Sequence, residues 1–380
     1  MARRATAVFL ACLYTLGVAP AGARASAAPA GGSAHCAADD ATSRAASHTS
    51  GHVAVRRRGP GGLTHAVEPH EPDPAEVARM EEDLRRRLSA RPGGGYVPGA
   101  DSAAVGPGVP MAPVATATPG TPAASGVPGG AGTATQAGEE IRVPMWVHII
   151  RDGALGLPDS AVTRQVATLN AAYSGSLGGV DTHVRFVLRG VTHTTDRQWF
   201  RDPLGHEAAM KKRLHIGGQD TLNLYVAQLG ELVLGYATYP YWYADDPDLD
   251  GVVIDWRSVP GGPLREFDKG FTAVHEIGHW LGLLHTFENG CQTPGDAVDD
   301  TPFEAYPTTG CPARKDSCSA TGDDPLHNYM DYGQDRCMRE FTSGQAVRIR
   351  QMWDAYRRPG APGALKGQSA ATPLTTAQPM

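Results

Sequence analysis

The sequence predicts an α+β fold for a single domain, residues 139–358. Three observations carry this expectation. Apolar residues with readable periodicity concentrate there, strand-like runs dominate its first half, and an irregular Gly/Pro/Cys-rich stretch ends in one well-capped helix. Outside it the chain is poor in core-forming residues. Of 380 residues 46 are Gly and 30 are Pro, crowded into the first third and the last twenty or so positions. Such segments bury too little apolar surface to offset their ordering entropy.

Within the domain, Ile141–Ile150 reads as a strand. A helix near Ser160 places Val162, Val166, Leu169 and Tyr173 on one stripe. Further strands are expected at Val184–Leu188, Thr221–Val226, Leu234–Tyr239 and Gly251–Asp255. A second helix is expected from Phe271 to about Leu281. Little regular structure is expected between Glu288 and Arg336. A last helix starts at Thr342, whose capping box Gln345 completes, and carries Val347, Met352 and Tyr356.

The flanks divide further. Residues 1–25 have the pattern of a secretory signal: Arg3 and Arg4, an apolar run from Ala5 to Ala19, and a small-x-small site at Ala23-Arg24-Ala25. Residues 26–90 read as a pro-segment, mostly disordered, with a basic knot at Arg56-Arg57-Arg58 and one helix. Asp73 caps that helix, Pro74 suits its first position, Glu76 completes a capping box, and Val77, Met80, Leu84 and Leu88 share a stripe. It is either a free amphipathic helix or an element that rests on the enzyme. Residues 91–138 form a Pro/Gly/Ala/Thr linker, and 359–380 a disordered tail.

Charge and hydropathy exclude two classes. A formal net charge of −6 without a basic stripe argues against a nucleic-acid partner. No run of about eighteen apolar residues is present to span a membrane. Once Cys12 leaves with the signal, Cys291, Cys311, Cys318 and Cys337 remain as a cluster that reads as two disulfides in an exported protein. Three pairings are open from sequence. Cys36 is left over.

The chemistry concentrates in His275-Glu276-Ile277-Gly278-His279-Trp280-Leu281-Gly282-Leu283-Leu284-His285. On a helix, His275 and His279 share a face and can grip one zinc at about 2.0–2.1 Å. Gly282 allows the helix to end and the chain to swing back, which brings His285 in as third ligand. A fourth position left open marks a catalytic site. Glu276 is then the general base for zinc-bound water, whose pKa the metal lowers. Downstream, Met330 in Asn328-Tyr329-Met330-Asp331-Tyr332 reads either as an apolar floor under the site or as ordinary core, and Tyr332 either as a phenol aimed at the metal or the oxyanion or as packing.

The extended motif with its Met-turn resembles the metzincin metallopeptidases. More narrowly it is similar to the pappalysin family, including secreted bacterial and fungal members. Asp220-Thr221-Leu222-Asn223, Leu234-Gly235-Tyr236-Ala237-Thr238, Pro247-Asp248-Leu249-Asp250-Gly251-Val252-Val253, Asp300-Thr301-Pro302 and Asn328–Tyr332 carry that similarity. The resemblance covers roughly residues 141–356. It implies a twisted mixed sheet of about five strands, a backing helix, an active-site helix, and an irregular C-terminal subdomain that ends in a helix. It implies a secreted zinc-dependent endopeptidase made as a zymogen, with protein or peptide substrates. It also implies Cys291–Cys318 and Cys311–Cys337 as the disulfides, and a structural calcium held by Asp296, the Val298 carbonyl and Thr301. Cys36 is implied as a latency ligand on zinc, although the sequence there reads His35-Cys36-Ala37. Asp335 is implied in the pocket for the residue after the scissile bond, favouring Arg or Lys. Two other readings compete: a zinc-bearing binding or adhesion module without catalysis, and a zinc hydrolase of a non-protein amide.

Overall fold

A computed structural model describes residues 56–58, 64–66, 68–90, 139–230 and 233–361. The expected signal peptide, Cys36, the 91–138 linker and most of the expected tail lie outside these residues. The basic knot is a correction to the sequence reading: Arg56–Arg58 (β1) pairs antiparallel with Thr64–Ala66 (β2). The helix with the Asp73 cap is present as α1 (Pro74–Ser89), and the Asp73 carboxylate accepts from the Glu76 amide.

The domain is built on β3 (Ile141–Arg151), α2 (Asp159–Tyr173), β4 (Val184–Thr195), α3 (Arg197–Arg201), α4 (Glu207–Leu214), β5 (Leu222–Ala227), β6 (Gly235–Ala237), β7 (Val252–Asp255), α5 (Phe271–Trp280) and α6 (Ser343–Met352). The five strands form one mixed sheet in the order β4-β3-β5-β7-β6. Four run parallel, and β6 closes one edge antiparallel to β7. β5 and β7 are buried along their whole length, as strands covered on both faces must be. One face packs on α2 and α5 through Val147, Leu224, Ile254, Leu169 and Ile277. The other meets α3 and α4 through Tyr225, Tyr236, Phe200 and Met210.

Three local expectations are corrected. β4 extends beyond Leu188 to Thr195, because its Thr-rich end still pairs with β3 as far as Arg151. The helices α3 and α4 carry weak apolar stripes, yet Asp196 caps α3 through the Gln198 and Trp199 amides. In α4, Lys211 is fully buried because Glu207 pairs with it at 2.7 Å. Val347 is 48% exposed rather than part of the buried stripe. The inward face of α6 is instead Gln345, Arg348, Ile349 and Met352.

A buried ion pair joins the sheet, α5 and the C-terminus. The fully buried Arg357 guanidinium donates to both oxygens of Asp250 at 2.9 and 3.0 Å. Its Nε donates to the Trp280 carbonyl at 2.8 Å, and its plane lies 3.7 Å over the Trp280 ring. Asp250 also accepts from the Trp280 indole and the Thr238 hydroxyl. Each Asp250 oxygen therefore has partners, which is what makes a desolvated pair tolerable. Asp250→Ala leaves Arg357 buried and uncompensated, and is expected to cost about 3–5 kcal/mol, read as a fall in the urea midpoint at unchanged slope.

Candidate metal centre

Helix α5 positions the first two histidines. The Tyr173 hydroxyl and the Gln165 amide of α2 bond the Val274 and Gly270 carbonyls, so α2 backs α5 as expected. Every residue of α5 is buried. After Trp280 the chain reverses at Gly282, whose φ is +93°. The Leu283 amide bonds back to the Gly278 carbonyl at 2.9 Å, which satisfies the helix end. The reversal carries His285 to the other two rings.

His279 Nε2 lies 3.1 Å from His275 Nε2 and 3.1 Å from His285 Nε2. On the far side of each α5 ring, Nδ1 faces a carbonyl: Tyr329 at 2.6 Å for His275 and Leu283 at 2.8 Å for His279. A carbonyl only accepts, so each Nδ1 holds the proton and each Nε2 presents its lone pair. The Tyr239 hydroxyl also lies 2.8 Å from His279 Nδ1. His285 stacks on Phe287 with centroids 4.7 Å apart, and burial pushes its pKa down to about 3. Burial lowers His279 as well; in His275 burial also pulls downward, but the charge and hydrogen bond of Glu68 together with the Tyr329 carbonyl and the Asp331 charge raise it on balance. Lone pairs at this spacing repel unless a cation lies between them. Tetrahedral ligands at about 2.0–2.1 Å sit about 3.3 Å apart, so the donor set fits zinc.

The loop that follows completes the floor. Met330 is fully buried below α5, where Gly278 has no Cβ to collide with its Sδ. Asn328 fixes that loop: its Oδ1 accepts from the Met330 amide at 2.9 Å, and its amide exchanges two hydrogen bonds with Gln345. The residue that completes the α6 capping box therefore also holds the Met-turn. Tyr332 stands beside the metal site, its ring centroid 4.9 Å from that of His285. Burial holds its phenol protonated, well above the ordinary range.

Glu276 and His275 line a cavity of about 190 Å³ together with Gly235, Phe271, Tyr332 and Asp335. Burial, then the charge of Glu68, pushes the Glu276 carboxyl well above its usual range. Its Oε2 has no hydrogen-bond partner among the described residues. A Cβ on Gly235 would meet the Glu276 Cγ at 2.5 Å, so β6 can approach the carboxylate only as glycine. Asp335 lies at the cavity wall. Its Oδ2 accepts from the Lys269 amide at 2.7 Å, and burial raises its pKa to about 6.

The remaining expected residues are also gathered. Cys291 bonds to Cys318 and Cys311 to Cys337, with Cα atoms 5.5 and 5.6 Å apart. The Thr301 hydroxyl reaches the Asp296 carboxylate and the Val298 carbonyl, both at 2.7 Å. Asp296 Oδ2 is buried without a partner among the described residues, and burial raises the carboxyl to about 7. Sequence reasoning missed two participants. Tyr239 carried no signal beyond its place in a strand-like run. Glu68 has its carboxylate oxygens 3.2, 3.4 and 3.5 Å from the Nε2 atoms of His275, His279 and His285. Its one signal is the run Glu68-Pro69-His70-Glu71-Pro72 just before α1, where two prolines favour extended backbone.

Similarity to known proteins agrees with this geometry. A family model described as pregnancy-associated plasma protein-A, the pappalysin domain, matches residues 233–354. An extracellular metalloprotease of Neurospora crassa is 42% identical over 232 residues, which span 57% of this chain and 76% of that protein. The chain belongs to the pappalysin family of metalloproteases. A second relative, an extracellular metalloprotease of Verticillium alfalfae, is 44% identical over 227 residues, 57% of this chain and 77% of its own. Mature mirolysin of Tannerella forsythia, solved with a cleaved peptide, superimposes with a TM-score of 0.51 at 28% identity. The match covers 57% of this chain and 93% of mirolysin. The metzincin-like architecture expected from the sequence is thus that of a pappalysin, and its substrates are peptides. Among the described residues no helix is long and apolar enough to cross a membrane.

Proposed function

We propose that this chain is a secreted zinc endopeptidase in which Glu276 is the general base. One observation supports it above the others: three imidazole lone pairs converge beside a buried, unpartnered carboxylate oxygen at a cleft. When bound by His275, His279 and His285, zinc supplies a Lewis acid that acidifies water and polarises the scissile carbonyl. Glu276 takes the proton of the attacking water and returns it to the leaving nitrogen. Its Oε2, unpartnered among the described residues, is left to hold the proton between the two steps. Tyr332 keeps its phenolic proton and donates toward the developing oxyanion. A binding module without catalysis would leave the burial of Glu276 unexplained, and the relatives' names favour peptide over other amides. Those names and the two disulfides support export to an oxidising compartment.

The edge of the sheet and the cavity suit an extended substrate. Among the described strands β6 pairs only with β7, so its outer edge is free to add a substrate strand. Asp335 is the recognition group for a basic residue after the scissile bond. Arg336 is exposed, so solvent screens its charge from the pocket. We also assign calcium to Asp296, Thr301 and the Val298 carbonyl, since a buried, unpaired carboxylate oxygen there calls for a cation.

Three measurements test these assignments. Glu276→Gln should retain zinc by metal analysis and lose at least about 100-fold in casein cleavage; cleavage that persists with zinc bound ends the general-base reading. Asp335 ionises near pH 6, so preference for Arg or Lys over Leu after the scissile bond should rise as pH passes through 6. Asp335→Asn should abolish that rise. Its ordinary value is 3.8, so charging it weakens the fold as pH climbs through the same window, and a bound cation offsets the cost. A calcium chelator selective over zinc should lower the melting temperature, and Asp296→Asn should remove the response; an unchanged melting curve would disprove the calcium assignment.

A further inference from the structure

We propose that Glu68 is the fourth ligand of the catalytic metal in the uncleaved chain, so that residues 68–90 hold the enzyme latent through a carboxylate. The proposal rests on the reading that the three histidines hold zinc. For zinc–ligand bonds of about 2.0–2.2 Å, the edges of a tetrahedron are about 3.3–3.5 Å. Glu68 Oε1 stands 3.2 Å from His275 Nε2, and its Oε2 3.4 and 3.5 Å from the Nε2 atoms of His279 and His285, so the carboxylate straddles the place of the missing corner. A carboxylate is an ordinary zinc ligand, and among the described residues its ion-pair partners here are the three imidazoles that would share the metal.

The segment around Glu68 is seated at many points. Pro69 and Pro72, which flank His70-Glu71 just after it, are buried. His70 Nε2 lies 2.9 Å from the Glu207 carboxylate, and Glu71 Oε1 lies 3.7 Å from His285 Nδ1. Then α1 docks through its apolar stripe. Val77 and Met80 pack on Tyr239 and Leu284, and Leu84 and Leu88 pack on Met352, Ala355 and Tyr356. Glu76 accepts from the Trp242 indole at 2.6 Å, and the buried Arg348 donates to Glu81 at 2.5 Å. This decides between the two readings of the helix: it rests on the enzyme. Docking raises the effective concentration of Glu68 at the metal far above that of any free carboxylate. With the fourth position filled, neither water nor a substrate carbonyl reaches the metal beside Glu276. Glu68 lines the same cavity as Glu276 and His275, so the segment also occupies space a substrate needs.

The test uses the full chain with Glu276→Gln, which prevents self-cleavage, loaded with cobalt(II) in place of zinc. Visible absorption and acetohydroxamate affinity are measured with Glu68 intact, as Glu68→Ala, and as Glu68→Gln, which keeps the side-chain shape. The expected result is one cobalt per chain throughout, a changed cobalt spectrum on loss of the carboxylate, and hydroxamate binding at least about 100-fold tighter in both variants. Identical spectra and equal hydroxamate affinity with cobalt bound would overturn Glu68 as a ligand while leaving the metal site standing. Failure of every chain to take up cobalt would instead remove the three-histidine reading, and this proposal with it. A thiolate-to-cobalt band that Cys36→Ala abolishes would assign the fourth position to Cys36 and refute the proposal.

Discussion

Neutral imidazoles that present lone pairs to one another at 3.1 Å repel, and a cation between them would relieve that repulsion. The fold imposes the geometry from outside. The Tyr329 and Leu283 carbonyls orient two rings by taking their far protons, and Phe287 fixes the third by stacking. Both carbonyls come from segments that have left α5, so the helix alone cannot define the site. The Gly282 reversal and the Asn328–Met330 turn are as necessary as the histidines. Orientation by outer partners of this kind governs metal affinity as much as the ligands do.

The buried charges serve the same end. Asp250 precedes β7, Trp280 ends α5, and Arg357 lies beyond α6. The pairing of Asp250 with Arg357 through the Trp280 carbonyl and ring ties sheet, active-site helix and C-terminus at one point. Arg348 extends the link, since its Nε bonds the Gly282 carbonyl at the reversal. These long-range ties replace the regular hydrogen-bond ladders that the lower half of the domain lacks.

The sequence made legible what short-range rules encode. The five strands, α2, α5 and α6 follow from apolar period and caps. The three ligands follow from a spacing that only metal chemistry explains, and the turn at Gly282 from the need for positive φ. The missed features depend on partners far along the chain. Lys211 reads as a solvated charge until Glu207 and the Leu249 carbonyl are beside it. Val347 fits an apolar stripe, but Gln345 and Arg348 claim the inward face through their bonds to Asn328 and Gly282. Glu68 is one acidic residue among many by sequence. It becomes distinctive only because α1, more than 180 positions before the histidines, finds its groove.

The two halves of the cleft are held by different kinds of force. The upper wall, β6 and α5, is welded by apolar packing and would survive reduction of both disulfides. The lower wall has few ladders, and the Cys311–Cys337 bond closes just beyond Asp335 and before Met338. A molecule stranded in a reducing compartment would thus keep its metal-gripping helix while the wall that selects substrates went slack. Fidelity of cleavage, more than cleavage itself, would then record where the protein had matured.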